Sequence, residues 1–262
     1  MTGAGLLVAS IVGGLLFLLP YLGIEPPGGS IPATVALATI VALGSIEIGT
    51  RRLDAKGIAL LACLAALAAA MRLALITGLA GFSPFFFLVL CAGYVFGPSY
   101  GFLTGAVAML VSAIVSGGLG PWLPYQIFAA GWVGLGAGIV SGGLDRRPSR
   151  RDFALLAAYG LVAGFAFGAV MDLWDWAFFQ GAPDLGYVAG LGTGATIARF
   201  GQFYLLTSAG YDAFRAVGNA LMILALGPPV LASLARLRTR SSFSFVSTAS
   251  SIPSPGAESA SA

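Results

Sequence analysis

The sequence predicts an all-α integral membrane protein that crosses the bilayer eight times. Of its 262 residues, 58% are hydrophobic and only 9% are charged, whereas soluble proteins carry about 25% charged residues. The mean hydropathy is +0.94. Apolar stretches close to the ~20 residues that span a hydrocarbon core as a helix recur along the chain. A chain this poor in charge has too little polar surface to face water all round.

Eight apolar stretches predict eight transmembrane helices. They lie at 4–22, 33–50, 57–80, 84–97, 101–117, 123–143, 152–180 and 211–235. The first lacks the basic flank and the cleavage site of a signal peptide, so we interpret it as a helix of the mature protein. The fourth is short for a full crossing, and we expect it to tilt or to merge with its neighbour. The segment 181–210 is too polar to span and is rich in glycine, which predicts a loop.

Clusters of arginine and lysine predict the orientation. They follow the second, sixth and eighth stretches and comprise Arg51, Arg52, Lys56, Arg146, Arg147, Arg150, Arg151, Arg236, Arg238 and Arg240. With eight crossings all three clusters share one side, which the positive-inside rule assigns to the cytoplasm. Both termini are then cytoplasmic in a multi-pass plasma-membrane protein. The serine-rich residues 238–262 are predicted to form a disordered tail.

The composition also excludes several functional classes. The chain has no histidine, which removes histidine-based triads and most zinc sites. Its only lysine, Lys56, lies outside any phosphate-binding glycine loop, so ATP-driven work would need a partner. Cys63 and Cys91 lie in apolar stretches and are interpreted as packing residues. We predict no enzyme, no cofactor, no metal site and, at a net charge of +3, no nucleic-acid partner.

Polar and aromatic residues gather in the external third of this topology. Charges within membrane helices are costly and mark either ion pairs or function. One interpretation pairs Arg215 with Asp172 or Asp175 beneath a belt of interfacial tryptophans. The other is a ligand cavity, enclosed by the loops at 80–84, 117–126 and 181–210, with aromatic walls and a few polar groups. We favour the cavity and predict as substrate-binding residues Arg72, Trp122, Gln126, Asp172, Asp175, Trp176, Arg199, Tyr204, Arg215 and Asn219.

Two details bear on this prediction. Asp212, Arg215 and Asn219 share one face of the last apolar stretch. Trp174 and Trp176 point to different faces of their helix, so at most one of them faces the cavity.

The third apolar stretch carries small residues at four-residue spacing. Ala62, Ala66 and Ala70 form one such row, and Ala65 and Ala69 form another. Rows of this kind let two helices approach closely in lipid. Both packing within the protein and docking of another membrane subunit fit the pattern.

Four segments resemble the substrate-binding S component of energy-coupling factor (ECF) vitamin transporters. They are "LACLAALAAAMRLAL" in the third stretch, "CAGYVFGPSYGFLTGAVAMLVS" at 91–112, "GGLGPWLPYQIFAAGWVGLGAGIVSG" at 117–142 and "YDAFRAVGNALMILALGPPVL" at 211–231. The resemblance covers about residues 57–237 and implies the six-helix substrate-binding core of that family. Residues 1–56 would add two N-terminal transmembrane helices that the minimal fold lacks.

The resemblance implies a division of labour. An S component binds a vitamin or related micronutrient from outside and docks on a transmembrane T subunit that two ATPase subunits drive. The family's docking motif would map onto Ala62, Ala66 and Ala70. Its binding loops would map onto 80–84, 117–126 and 199–210. Cobalamin is the first expectation, while thiamin, riboflavin, folate and biotin precursors stay open.

Three alternatives remain beside this prediction. A stand-alone or proton-coupled transporter could titrate Asp172 and Asp175. A membrane enzyme acting on lipid phosphates could hold Mg²⁺ at the same D-x-x-D pair, but it would need further aspartates on a second helix, where only Asp212 is available. A purely structural membrane protein would leave the polar external cluster without a role.

Overall fold

The computed structural model describes residues 2–23, 30–49, 54–74, 82–179, 181–182 and 184–242. Over these ranges the chain is helical and contains no β-strand, which confirms the all-α class. The helices are α1 (Thr2–Leu16), α2 (Ser30–Gly49), α3 (Ala55–Ala74), α4 (Phe85–Phe96), α5 (Pro98–Ser116), α6 (Leu123–Ser141), α7 (Arg150–Phe178), α8 (Thr193–Thr207) and α9 (Ala209–Ser242). A short 3-10 turn at Leu19–Leu22 follows α1.

Five of these helices, α3, α5, α6, α7 and α9, are long and apolar enough to cross a membrane. Helices α1, α2 and α4 are apolar but shorter. Leucine, isoleucine and valine side chains are exposed on the outer faces of the bundle, including Leu7, Val41, Val162 and Leu221. An exterior this apolar suits lipid rather than water. The fold is therefore compatible with a helical membrane protein, and the count of eight crossings stays a prediction.

The short fourth stretch forms a buried helix. Every residue of α4 from Phe85 to Val95 is buried by the helices around it. Helix α4 also does not merge with α5, because the chain turns at Gly97, whose φ of +101° favours glycine. An apolar helix of 12 residues is typical of a core helix that its neighbours enclose.

Glycines bring α4, α5 and α6 into backbone contact. A Cβ atom added to Gly93 or to Gly101 would overlap the carbonyl oxygen of Gly134. One added to Gly105 would overlap the carbonyl of Ala130. Small residues at helix contacts permit this close approach, which is how membrane helices gain packing energy without a hydrophobic driving force.

A second glycine row joins α7 to α9. Gly160, Gly164 and Gly168 are spaced four residues apart and face α9. A Cβ atom on Gly164 would overlap Ala216, and one on Gly168 would overlap the carboxylate of Asp212. The row therefore fixes how deeply the polar side chains of α9 enter the bundle.

The segment predicted as a loop at 181–210 contains a helix, and that prediction is wrong. Helix α8 turns one face toward the protein, where Phe203 is buried and packs on Phe179 with ring centroids 5.1 Å apart. Phe200 packs on Trp176 at the same distance. A glycine-rich segment of this composition is not apolar enough to span a membrane, but a short amphipathic helix needs just one apolar face.

Helices α1 and α2 lie against α5 and α6. Phe17 packs on Tyr125 with ring centroids 4.9 Å apart, and Gly13 lies directly against the ring of Phe128. The Tyr21 hydroxyl donates a hydrogen bond to the carbonyl of Leu173 near the end of α7. The described part of 1–56 is therefore packed onto the remaining helices.

The two ends of the bundle differ in charge. At the end where α7 begins, which we call the arginine end, Arg146 donates to both oxygens of Asp152 at 2.7 and 2.9 Å. Tyr94 donates to Asp152 as well, at 2.9 Å. Arg238 donates to the carbonyl of Val95. Helix α9 ends at Ser242, four residues beyond the predicted start of the tail, and residues 243–262 lie outside the described ranges.

Candidate functional site

A cleft of about 380 Å³ opens at the opposite end of the bundle, where α6, α7 and α9 meet. Three helix segments contribute: the start of α6, the last turns of α7 and the start of α9. We call this site the acidic cleft. Its lining residues are Trp122, Gln126, Phe167, Gly168, Met171, Asp172, Trp174, Asp175, Ser208, Tyr211, Asp212 and Arg215.

Five of the ten predicted substrate-binding residues meet here. They are Trp122, Gln126, Asp172, Asp175 and Arg215. They come from three separate helices, so sequence proximity alone did not bring them together. Whether they bind a substrate stays a prediction.

Asp212 and Arg215 form an ion pair within α9. The structure thus pairs Arg215 with Asp212, one turn earlier, instead of with Asp172 or Asp175. The same guanidinium donates to the carbonyl of Gly164 at 3.3 Å and lies 5.1 Å from the centroid of the Phe167 ring. Arg215 is therefore held by a carboxylate, a backbone acceptor and an aromatic face together.

Two carboxylates of the cleft are deeply buried. Asp172 is 4% exposed and Asp212 is 1% exposed. The Ser208 hydroxyl donates to Oδ1 of Asp172 at 2.8 Å, while Oδ2 of each aspartate has no hydrogen-bond partner among the described residues. Buried polar atoms nearly always have a partner, so these two oxygens are acceptors whose partner is not among the described residues.

Aromatic rings form one wall of the cleft. Trp174 lines it and packs edge-on against Trp122, with ring centroids 6.4 Å apart. Trp176 is buried on another face of α7, beside Tyr21 and Tyr187, and donates its indole N–H to the carbonyl of Leu185 at 2.7 Å. One tryptophan of the pair faces the cleft, as expected, but it is Trp174 rather than Trp176.

Besides Trp176, four predicted residues lie outside the cleft lining. Arg72 donates to Ser112 at 3.2 Å between α3 and α5. Arg199 donates to the carbonyl of Gly186 at 2.6 Å, which ties α8 to the preceding loop. The remaining two, Asn219 and Tyr204, lie close to the cleft.

Asn219 and Tyr204 support the cleft from behind. Asn219 is buried and donates to the carbonyl of Gly160 at 3.2 Å, one helical turn below the ion pair. Tyr204 of α8 interacts with Asp212. Burial, with Asp212 nearby, raises the pKa of Tyr204 to about 12, so this phenol stays protonated and can donate.

Two of the three predicted loops reach the cleft. The loop before α6 contributes Trp122, and the junction between α8 and α9 contributes Ser208. In the first loop, residues 80 and 81 lie outside the described ranges, and Phe82 packs against Gly218 of α9.

Seven lining residues were not among the predicted substrate-binding residues: Phe167, Gly168, Met171, Trp174, Ser208, Tyr211 and Asp212. Helical spacing could have found most of them. Ser208 lies four residues before Asp212, Tyr211 lies four before Arg215, and Met171 lies four before Asp175. Residues three or four apart share a helix face, so each predicted charge marks its neighbours.

The described lining holds three carboxylates, from Asp172, Asp175 and Asp212, and one guanidinium, from Arg215. Asp172 interacts electrostatically with all three of these other groups. Within the described part of the chain, no three acidic or cysteine side chains are arranged to hold a metal ion. The arrangement can bind and orient a small polar molecule between carboxylates and aromatic rings.

Neither a protein-family model, nor a curated protein, nor a solved structure matches this chain. The likeness to S components therefore rests on the four sequence segments that carry it.

Proposed function

We propose that this protein captures a small nutrient from outside the cell in the acidic cleft and delivers it as the S component of an ECF-type importer. The observation that carries the proposal is the cleft itself. It combines buried carboxylate oxygens that have no partner in the described part of the chain with aromatic walls, at the end of the bundle away from the described arginines.

The charge asymmetry supports the orientation. Arg146, Arg147, Arg236 and Arg238 lie at the end opposite the cleft, because α7 and α9 run antiparallel between the two ends. The positive-inside rule places such residues in the cytoplasm. The cleft then faces outside, both termini are cytoplasmic, and the plasma membrane is the natural location.

The helix arrangement supports the assignment of parts. Helices α3 to α7 and α9 form the six-helix core, and α1 and α2 are the two additional N-terminal helices. Helix α8, which is not among the candidate spans or the shorter apolar helices, packs on α7 and α9 beside the cleft. It occupies the position of the binding loop that the resemblance implies at 199–210.

The surface of α3 supports docking to a T subunit. Ala62, Ala66 and Ala70 are exposed, whereas Ala65 and Ala69 are buried against the protein. One small-residue row is thus used for internal packing and the other is open to a neighbour. Such a row allows close helix contact in the membrane, and the two ATPase subunits would act through that contact.

The size of the cleft limits the ligand. A cavity of about 380 Å³ lies near the lower end of the range for small-molecule sites, which is about 300–1,000 Å³. It favours a ligand of the size of thiamin, a biotin precursor or a comparable micronutrient over cobalamin, whose corrin ring and nucleotide loop are far bulkier.

A stand-alone or proton-coupled transporter is the second candidate, and the buried carboxylates favour it. Acidic residues within membrane helices often relay protons in transporters. Both candidates share the same substrate site and differ in the source of energy. The enzyme alternative would need further acidic ligands near Asp172 and Asp175.

Uptake in a host that lacks ECF components distinguishes the candidates. The full-length chain is expressed alone and together with a T subunit and two ATPases, and the cells are tested with labelled vitamins. We expect uptake only in the complete set, and its loss when the Walker lysines of the ATPases are replaced. Uptake by the chain alone that a protonophore abolishes would favour the second candidate and contradict the first.

A further inference from the structure

We propose that the acidic cleft selects an organic cation, carrying an ammonium group or a positively charged heteroaromatic ring beside Asp172 and Asp212. This inference deepens the proposed function and rests on it for the role of the cleft as the substrate site. Three features support it: the charge of the lining, the buried carboxylate oxygens without a partner among the described residues, and the aromatic wall.

The described lining of the cleft is acidic. Three carboxylates and one guanidinium leave the described lining with a net charge of minus two when all four groups are ionised. Arg215 is already engaged by Asp212, by the carbonyl of Gly164 and by the Phe167 ring. The described lining offers Asp172 and Asp175 no cation other than this shared guanidinium, and an anionic ligand would meet a repulsive field.

The two buried aspartates of the cleft have hydrogen-bonding capacity that the described residues do not fill. Ser208 and Tyr204 supply neutral hydroxyls to the two buried aspartates, yet Oδ2 of Asp172 and Oδ2 of Asp212 keep no partner among the described residues. Both side chains are more than nine-tenths buried and line the cavity. Asp212 has the charge of Arg215 beside it, whereas the hydrogen-bond donor to Asp172 is the neutral Ser208 hydroxyl. A buried carboxylate is costly unless a charge is paired with it, and a cationic ligand would supply that charge at Asp172.

The wall of the cleft is aromatic. Trp122, Trp174 and Tyr211 line the cleft together with the acids. Aromatic faces attract cations through their quadrupole, and tryptophan does so most strongly. A cleft of about 380 Å³ is much larger than a bare metal ion, so the wall and the volume together favour an organic cation.

The test measures the charge preference of the cleft without knowing its ligand. A single reactive cysteine is placed at the half-buried lining position by Gln126→Cys, in a Cys63→Ala background where the remaining Cys91 is fully buried. The purified full-length protein is then treated with two thiol reagents of similar size. One is cationic, the trimethylammonioethyl methanethiosulfonate; the other is anionic, the sulfonatoethyl methanethiosulfonate.

The reference is the same measurement on Leu119→Cys, an exposed position of the loop before α6 that lies outside the cleft lining. We expect the ratio of cationic to anionic rates to be about tenfold higher at position 126, since fields in charged clefts change local ion concentrations by 10-fold or more. Equal ratios at the two positions would overturn the proposal.

Charge variants complete the test. Asp172→Asn retains an oxygen that can accept from Ser208, and we expect it to lower the rate ratio at position 126 severalfold. The matched variant Asp184→Asn removes an exposed acid outside the lining and should leave the ratio unchanged. An unchanged thermal unfolding midpoint shows that the variants keep their fold. A ratio that Asp172→Asn does not alter would contradict the assignment to these carboxylates.

A ligand panel separates this inference from the proposed function. Thiamin and choline serve as cationic probes, riboflavin as a neutral probe, and biotin and pantothenate as anionic probes. Tight binding of a neutral or anionic probe alone would leave a substrate-binding subunit in place and overturn the cation preference. A high rate ratio at position 126 without uptake by the complete transporter would support the cationic cleft and contradict the ECF function.

Discussion

At the scale of single residues, the acidic cleft depends on a position without a side chain. Gly168 of α7 lies directly against the carboxylate of Asp212, so that a Cβ atom there would overlap it. The close approach places Asp212 where it pairs with Arg215 and lines the cavity. The glycine therefore serves the site through the space it leaves.

Gly168→Ala tests this directly. The added methyl group must displace a buried, ion-paired carboxylate, and overpacking of this kind typically costs about 1–3 kcal/mol. We expect a lower thermal unfolding midpoint in detergent and weaker ligand binding. The control is Gly201→Ala on α8, where a Cβ atom meets nothing within 4 Å and alanine should be neutral or stabilising by up to about 1 kcal/mol. Equal midpoints for both variants would contradict the role of Gly168.

At the scale of helices, the apolar pattern of the sequence predicted where the helices lie along the chain better than it predicted which side chains contact each other. The eight apolar stretches coincide with α1 to α7 and α9, because hydrophobic runs of this length have few other structures open to them. Helix α8 was missed, since glycine, threonine and glutamine interrupt its apolar residues and Phe203 is its one buried residue. The partner of Arg215 was also missed, because α7 and α9 each offer an aspartate and only their packing decides between them.

The exposed alanine row of α3 is predicted to be a docking face for another membrane subunit. Its exposed row at Ala62, Ala66 and Ala70 points away from the protein, so Ala66→Phe adds bulk only on the outer surface. We expect normal ligand binding by the purified protein but loss of uptake by the complete transporter, measured with the same labelled ligand. The matched variant Ala65→Phe adds the same bulk to a buried position and should lower stability. If Ala66→Phe weakened binding and uptake equally, the row would not be a docking face.

At the scale of the whole molecule, the protein is polarised along its axis. Arginines and their partners occupy one end, and the cleft with its tryptophans occupies the other. The sequence predicted this polarity from the clusters that follow three of the apolar stretches; Arg51 and Arg52 of the first cluster lie outside the described ranges. It predicted Trp122 and Asp172 as lining residues but not Trp174 or Asp212, because the approach of α9 to α7 depends on the glycine-mediated packing of these helices.

Cysteine labelling in intact cells tests the orientation. Leu119 and Asp145 are exposed at opposite ends of the bundle, so Leu119→Cys and Asp145→Cys report on the two sides in the Cys63→Ala background. We expect a membrane-impermeant maleimide to label position 119 in intact cells and position 145 only after permeabilisation. Labelling of position 145 from outside would reverse the topology and place the cleft in the cytoplasm.

The central claim is that the cleft binds a small nutrient, and calorimetric titration of the purified full-length protein against a panel of water-soluble vitamins tests it most directly. We expect one vitamin to bind at micromolar affinity or better. Trp122→Ala should weaken that binding about tenfold, because a lost aromatic contact costs about 0.5–1.5 kcal/mol beyond the lost burial. Leu119→Ala, in the same loop but outside the lining, should leave the affinity unchanged. Binding that is equally tight in the Trp122→Ala variant, or no binding by any vitamin, would contradict the account.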